Sequence, residues 1–172
     1  MADKEHRYTV QVTWTGNEGT GTASYRGYSR AHRIEGVGKA TIEGSSDPSF
    51  RGDPTRWSPE ELLLASLSAC HKLWYLGLCA EAGITVEAYE DEAEGIMVEE
   101  PGGAGQFVSV VLRPCVTLRA GSNKLKAEVL HARAHSMCFI ARSVNFQVEH
   151  HATVLLLSNP AEDQEKAGAA PG

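Results

Sequence analysis

The chain carries four cysteines, Cys70, Cys79, Cys115 and Cys138, and two of them sit where paired-thiol chemistry would need them. Cys70 lies in the middle of an apolar stretch, SPEELLLASLSACHKLWYLGLCAEAG, running from Ser58 to Gly83. Cys138 closes a second helical pattern in which Ala127, Leu130, His131, Ala134, Met137 and Cys138 recur at steps of three and four. Each is expected on the inner face of its helix. A thiolate so placed attacks the distal oxygen of a peroxide and becomes a sulfenic acid, and a second thiol condenses with it to a disulfide. An external dithiol then restores both thiols by exchange. The competing reading is that both cysteines are small apolar side chains in a core, where free Cys is common.

A buried thiol titrates above its usual ~8.5 and is unreactive unless a cation stabilises the thiolate. The loop before the apolar stretch offers Arg51 and Arg56. A carboxylate would have to hold that guanidinium flat and aimed, and Glu60 is the candidate, although a first-turn glutamate also serves a helix dipole. On a continuous helix Glu60 and Cys70 stand roughly 15 Å apart along the axis. Either the arginine spans much of that gap, or Glu60 comes from a partner's helix packed antiparallel. The rival constellation is His131, His135 and Cys138 at i, i+4 and i+7, with His71, as a zinc site. The signal for it is weak, because no second Cys ligand lies nearby in sequence. Cys79 and Cys115 read as packing. His150 and His151 fall in the last strand with no role assigned.

The elements that must position these residues follow from pattern. Ser58 with Glu61 has capping-box spacing, Pro59 stands at the first helical position, and Gly83 is a stop, so the apolar stretch is a helix. Being apolar nearly all round, it belongs in a core, and its internal charges and soluble flanks argue against a membrane span. Such a helix also asks for a partner, which predicts a two-fold dimer. Tyr8–Trp14 alternates as a half-buried strand. Residues 20–28 return as a second strand, and 33–43 form a third, interrupted by Gly36 and Gly38. Residues 44–57 are loop. Residues 84–93 are a strand, 99–105 a hairpin turn, and 106–118 one long strand that Pro114 bulges or places on an edge. A second helix starts at Ser122 or Asn123 and ends near Cys138, and 144–157 is the last strand. Residues 1–158 make one domain, and 159–172, apolar-poor, a disordered tail. Two helices among mostly hairpin-linked strands imply an α+β fold.

At 172 residues the chain can bury a real core. A net charge of -6 without a basic stripe argues against nucleic-acid binding. No apolar run follows the first residues, so the expected location is cytoplasmic, where a disulfide is more often catalytic than structural.

SPEELLLASLSAC (58–70), the following His71, and AHSMC (134–138) together resemble the OsmC/Ohr superfamily. The family pattern is Asn/Ser-Pro-Glu-Glu/Gln, an apolar stretch, Ala-Cys, and much later Ala-His-x-x-Cys-Pro. The resemblance runs from about Tyr8 to Leu157. It implies antiparallel sheets packed around two central buried helices in an intertwined homodimer with shared active sites. It implies thiol-dependent reduction of organic hydroperoxides, recycled by a small dithiol or a lipoylated protein, with no metal or organic cofactor. Carried over, Cys70 matches the peroxidatic position, Cys138 the resolving position, and Glu60 the carboxylate that orients an arginine. The OsmC-like members carry that arginine beside an aromatic in the loop before the helix, and Phe50-Arg51 fits, so Arg51 is preferred over Arg56, Arg30 and Arg26. Phe139 replaces the usual proline after the second Cys. Leu63, Leu67, Leu73, Trp74 and Met137 are candidates to line an apolar pocket for an alkyl or fatty-acyl chain. The alternative function is a non-catalytic dimer of the same fold that binds such a chain.

Overall fold

The computed structural model describes residues 4–158, so the expected tail over 159–172 lies outside the described residues. By internal packing the chain divides into two compact units, one ending at Leu63 and one beginning at Leu64.

In the first unit, β1 (Gln11–Trp14), β2 (His32–Glu35) and β3 (Ile42–Gly44) form an antiparallel sheet in that order. The expected strand over residues 20–28 is instead a run of turns. Its backbone is satisfied locally. The Asn17 side chain accepts from the N–H groups of Gly19 and Gly21, and Arg30 lies over the rings of Tyr25 and Tyr28 while donating to both of their carbonyls. The expected third strand is two strands. Gly38 takes a φ of 72° in the turn that splits them, a conformation costly for any residue with a Cβ. Residues 45–57 are loop, as expected, with one short 3₁₀ turn at Pro48–Phe50 capped by Asp47. The loop is tied back to β3 at its far end, where Ser45 N–H donates to Trp57 O and Trp57 N–H to Glu43 O.

The apolar stretch forms α1 (Pro59–Glu81). Both halves of the capping box are made. Ser58 N–H donates to Glu61 Oε2 at 2.8 Å, and Glu61 N–H to Ser58 Oγ at 3.2 Å. Gly83, at φ 72°, follows the last turn. By length and composition alone α1 could cross a bilayer, but it is also what a core helix looks like, and Leu67, His71, Tyr75, Leu78 and Cys79 are buried in the protein.

The second unit contains six strands and α2 (Lys124–Met137), whose N-cap Asn123 accepts from Lys126 N–H. The strands are β4 (Val86–Asp91), β5 (Glu94–Glu99), β6 (Gly105–Leu112), β7 (Pro114–Leu118), β8 (Gln147–His150) and β9 (Thr153–Leu156). They form two sheets, β4-β7-β9 and β5-β6-β8. Each joins an antiparallel pair to a parallel one, with β9 parallel to β7 and β8 parallel to β6. The sheets are therefore mixed, where antiparallel ones are expected, because α2 carries the chain back across before its last strands.

The stretches 106–118 and 144–157 each read as one strand and are each two. The breaks fall at one level, residues 92–93, 113 and 151–152. Asp91 takes Arg113 N–H out of the ladder at 2.7 Å with one carboxylate oxygen and the Ser68 hydroxyl at 2.5 Å with the other. Pro114 has no N–H to give. Two apolar clusters fill the unit on either side of this break. Tyr75, Leu78 and Cys79 of α1 pack with Ala127, Leu130 and Ala134 of α2 over Val116, Leu118 and Val154. Nearer the start of α1, Leu67 packs with Val110 and Leu112.

Candidate functional site

Cys70 sits in the fourth turn of α1, half-buried. Cys138 is the C-cap of α2, 1 % exposed, with its backbone already out of helical conformation at φ −66°, ψ 112°. Its N–H donates to His135 O, and its sulfur accepts from Ala141 N–H at 3.4 Å. The two sulfurs meet inside the second unit. Burial pushes the Cys138 thiol up to about 11, the Ala141 N–H opposes this, and the Cys70 thiol adds to the rise as a hydrogen-bond partner and through its charge. Cys138 is thus held protonated at neutral pH beside Cys70. All four cysteines are free thiols here. Two thiols in contact, one of them a buried proton donor, can pass between dithiol and disulfide, and can carry a sulfenic acid in between.

Cys79 is buried among the apolar side chains of α1 and α2, and burial pushes its thiol up as well, with a hydrogen bond from Tyr75 opposing. Cys115 is exposed on β7. Neither lies in contact with another cysteine among the described residues.

The expected charge partners are not assembled. Glu60 lies in the first turn of α1, ten residues before Cys70 on a continuous helix, and its Oε2 is buried with no hydrogen-bond partner. Among the described residues no arginine forms an ion pair with it. Arg51 is exposed at a φ of 64°, closing the 3₁₀ turn, and has no ion pair there either. Arg56 is engaged by Glu43 at 2.6 Å and Asp53 at 3.5 Å, and Arg30 by the two tyrosines. Of the apolar residues expected around a pocket, Leu67 is fully buried in one cluster, and Trp74 and Met137 border the other. Leu73 is 66 % exposed. The α1 residues among them face different sides of that helix and do not gather into one wall.

The sequence pattern groups His71 with His131 and His135, as metal ligands, but leaves out His150, which the fold brings to the same cluster. His71 of α1, His131 and His135 of α2, and His150 of β8 have neighbouring ring centroids 5.4–6.2 Å apart. His71 and His131 are buried. Their rings are coplanar within 5°, and His71 Nε2 faces His131 Nδ1 at 3.1 Å, an in-line hydrogen bond between imidazoles. Tyr75 stacks on His131 at 3.8 Å. Burial, then the neighbouring histidines, lower His71 to about 4 and His131 to about 3. Both rings are therefore neutral at physiological pH. The zinc alternative drawn from His71, His131, His135 and Cys138 does not match this arrangement. The two closest ring nitrogens face each other and not a shared point, and no metal-holding group of three or more ligands forms among the described residues.

The family description "OsmC-like protein" matches residues 52–151. Among solved structures, an OsmC-like protein of unknown function from Vibrio cholerae is 33% identical, with a TM-score of 0.76 over 87% of this chain and 100% of that one. An organic hydroperoxide resistance protein OsmC from Legionella pneumophila is 20% identical, with a TM-score of 0.61 over 88% of this chain and 99% of that one. An organic hydroperoxide resistance protein from Elizabethkingia anophelis is 20% identical, with a TM-score of 0.62 over 90% and 100%. At that identity the last two speak for the fold alone. No curated protein matches the sequence. The matched segment contains both cysteines, the α1 capping box and the histidine group, and the chain belongs to the OsmC-like family.

Proposed function

We propose that this protein is a cysteine-based peroxidase that reduces organic hydroperoxides to alcohols. One observation carries the reading: the Cys138 thiol is buried, kept protonated and laid against Cys70. Of the two sulfurs, Cys138 is then the resolving one and Cys70 the one to attack. Its thiolate takes the distal oxygen of ROOH, the O–O bond breaks, and the departing alkoxide takes a proton to leave as ROH. The Cys138 thiol then condenses with the Cys70 sulfenic acid, releasing water and forming the 70–138 disulfide. An external dithiol reduces that bond in two exchange steps and leaves as its own disulfide. Two relatives of the same fold are named for organic hydroperoxide resistance, which agrees with this chemistry.

The mass of the intact protein tests it. One equivalent of an alkyl hydroperoxide is expected to remove two hydrogens, mapped to a peptide pair joined at Cys70 and Cys138. In Cys138→Ser the same treatment is expected to add one oxygen, at Cys70. An unchanged mass in the wild-type protein would end the proposal.

The active molecule in this reading is a homodimer, and Glu60 with an arginine, Arg51 first, completes the thiolate's surroundings. Its supports are a buried carboxylate oxygen on Glu60 without a partner, and apolar side chains left open around the cysteine helices, Leu73 at 66 % and Phe139 at 67 % exposure. Sedimentation at micromolar concentration is expected to give twice the chain mass. A monomer there would remove the shared site from the reading.

A further inference from the structure

The residues that flank the two reactive sulfurs are joined to each other. His71 follows Cys70 directly on α1, and His131 lies two turns before Cys138 on α2. A hydrogen bond between their rings links these two stretches of helix. We infer that the His71–His131 pair is a clamp that fixes the separation of the Cys70 and Cys138 backbones, and so sets how readily the two sulfurs bridge. The inference rests on the two-thiol reading above and adds two positioning residues to it.

Three features argue for a clamp and against ordinary core filling. An apolar pair would fill this space without leaving buried polar atoms, yet His71 Nδ1 and His131 Nε2 are both buried without a partner. That cost is accepted for one directional contact. The contact is also rigid. The rings are coplanar, the His131 ring is pinned by Tyr75 at 3.8 Å, and His150 of β8 flanks both imidazoles. Finally, Cys138 ends its helix, and its N–H is bonded to the carbonyl of His135, one turn beyond His131. Fixing His131 therefore fixes the last turn and the sulfur that follows it. Reacting groups displaced by about 1 Å can lose about a hundredfold in rate, so a contact that holds two backbones in place has room for a large effect.

The test is the equilibrium of the dithiol protein with oxidised glutathione, which gives the protein disulfide and two reduced glutathiones and needs no peroxide. Wild type, His71→Leu and His71→Gln are compared at pH 7, with the melting temperature of each recorded. Leucine removes the contact, whereas the glutamine side-chain amide can again hydrogen-bond to His131 Nδ1, donating or accepting as the tautomer requires. The expected result is a fall of about tenfold in the equilibrium constant for His71→Leu and a return to within about threefold for His71→Gln. A folded His71→Leu with the wild-type constant overturns the clamp, even if its melting temperature drops. Glutamine no better than leucine overturns it equally. Should the leucine variant not fold, His131→Phe, which keeps an aromatic ring on Tyr75, carries the same comparison. If wild type forms the 70–138 disulfide but does not consume hydroperoxide, the peroxidase reading fails and the clamp stands. If wild type forms no such disulfide with glutathione, the clamp falls.

Discussion

Cys70→Ser is expected to lose hydroperoxide turnover down to the uncatalysed background, a fall of at least about a thousandfold in kcat/KM with a small dithiol as reductant. The hydroxyl has the size of the thiol but neither its acidity nor its reactivity toward an O–O bond, so the packing around α1 survives while the first step has no nucleophile. Cys138→Ser is expected to differ in kind. It completes the first step once and then stalls, because no thiol condenses with the sulfenic acid. Cys79→Ser and Cys115→Ser leave the reacting pair intact, so each is expected to keep turning over. Steady-state assays of the four single variants check this. A Cys70→Ser rate above about a tenth of wild type would place the chemistry elsewhere.

Acidification is expected to destabilise the second unit well before the carboxylates titrate. His71 and His131 are neutral in the folded protein, at about 4 and about 3, against 6.5 for an ordinary histidine. Below 6.5 the unfolded chain takes up protons that the folded chain refuses, so stability falls with pH. The loss begins near 6.5 and levels off only below the folded values. Between pH 6.5 and 5 each ring accounts for about 2 kcal/mol. Few aspartates and glutamates titrate in that window, which isolates the histidines. The groups facing these rings are His135 on α2, His150 on β8 with His151 beside it, and Tyr75 on α1. Around Tyr75 stand Tyr89, Cys79 and Glu128. The charges acting on His71 and His131 come from other histidines, so added protons repel and do not pair. Urea midpoints at pH 7, 6 and 5 measure the slope, which His71→Gln is expected to reduce by about half. A midpoint constant from pH 7 to 5 would contradict the neutral, buried pair.

The helices were legible because their signals are local. Ser58 with Glu61 and Asn123 before Lys124 are read from neighbouring residues, and the structure makes each cap. The strand breaks were not legible, because their causes are remote. Apolar alternation runs on past Arg113, and what interrupts it is Asp91, twenty-two residues earlier. Residues 94–99 were missed as a strand because Glu94, Gly95 and Glu99 dilute the pattern, yet β5 pairs with β6 from Gly105 to Val111. The site divides the same way. Cys70 and Cys138 were found because each stands at a defined place on its own helix. His71 was grouped with His131 and His135 as a metal alternative, but the direct bond between two rings sixty residues apart was not read, nor was His150, which lies on a strand.

The parallel pairing of β8 with β6 and β9 with β7 has a kinetic consequence. Residues 147–156 can pair only after α2 has been laid across, so both sheets remain two-stranded until the final segment docks. Contacts this distant in sequence form slowly. Until they form, β6 and β7 present unsatisfied edges that another chain can add to. The slow stage of refolding should therefore also be the stage most sensitive to protein concentration, and a chain cut before Gln147 should aggregate instead of folding to a smaller version of the same unit.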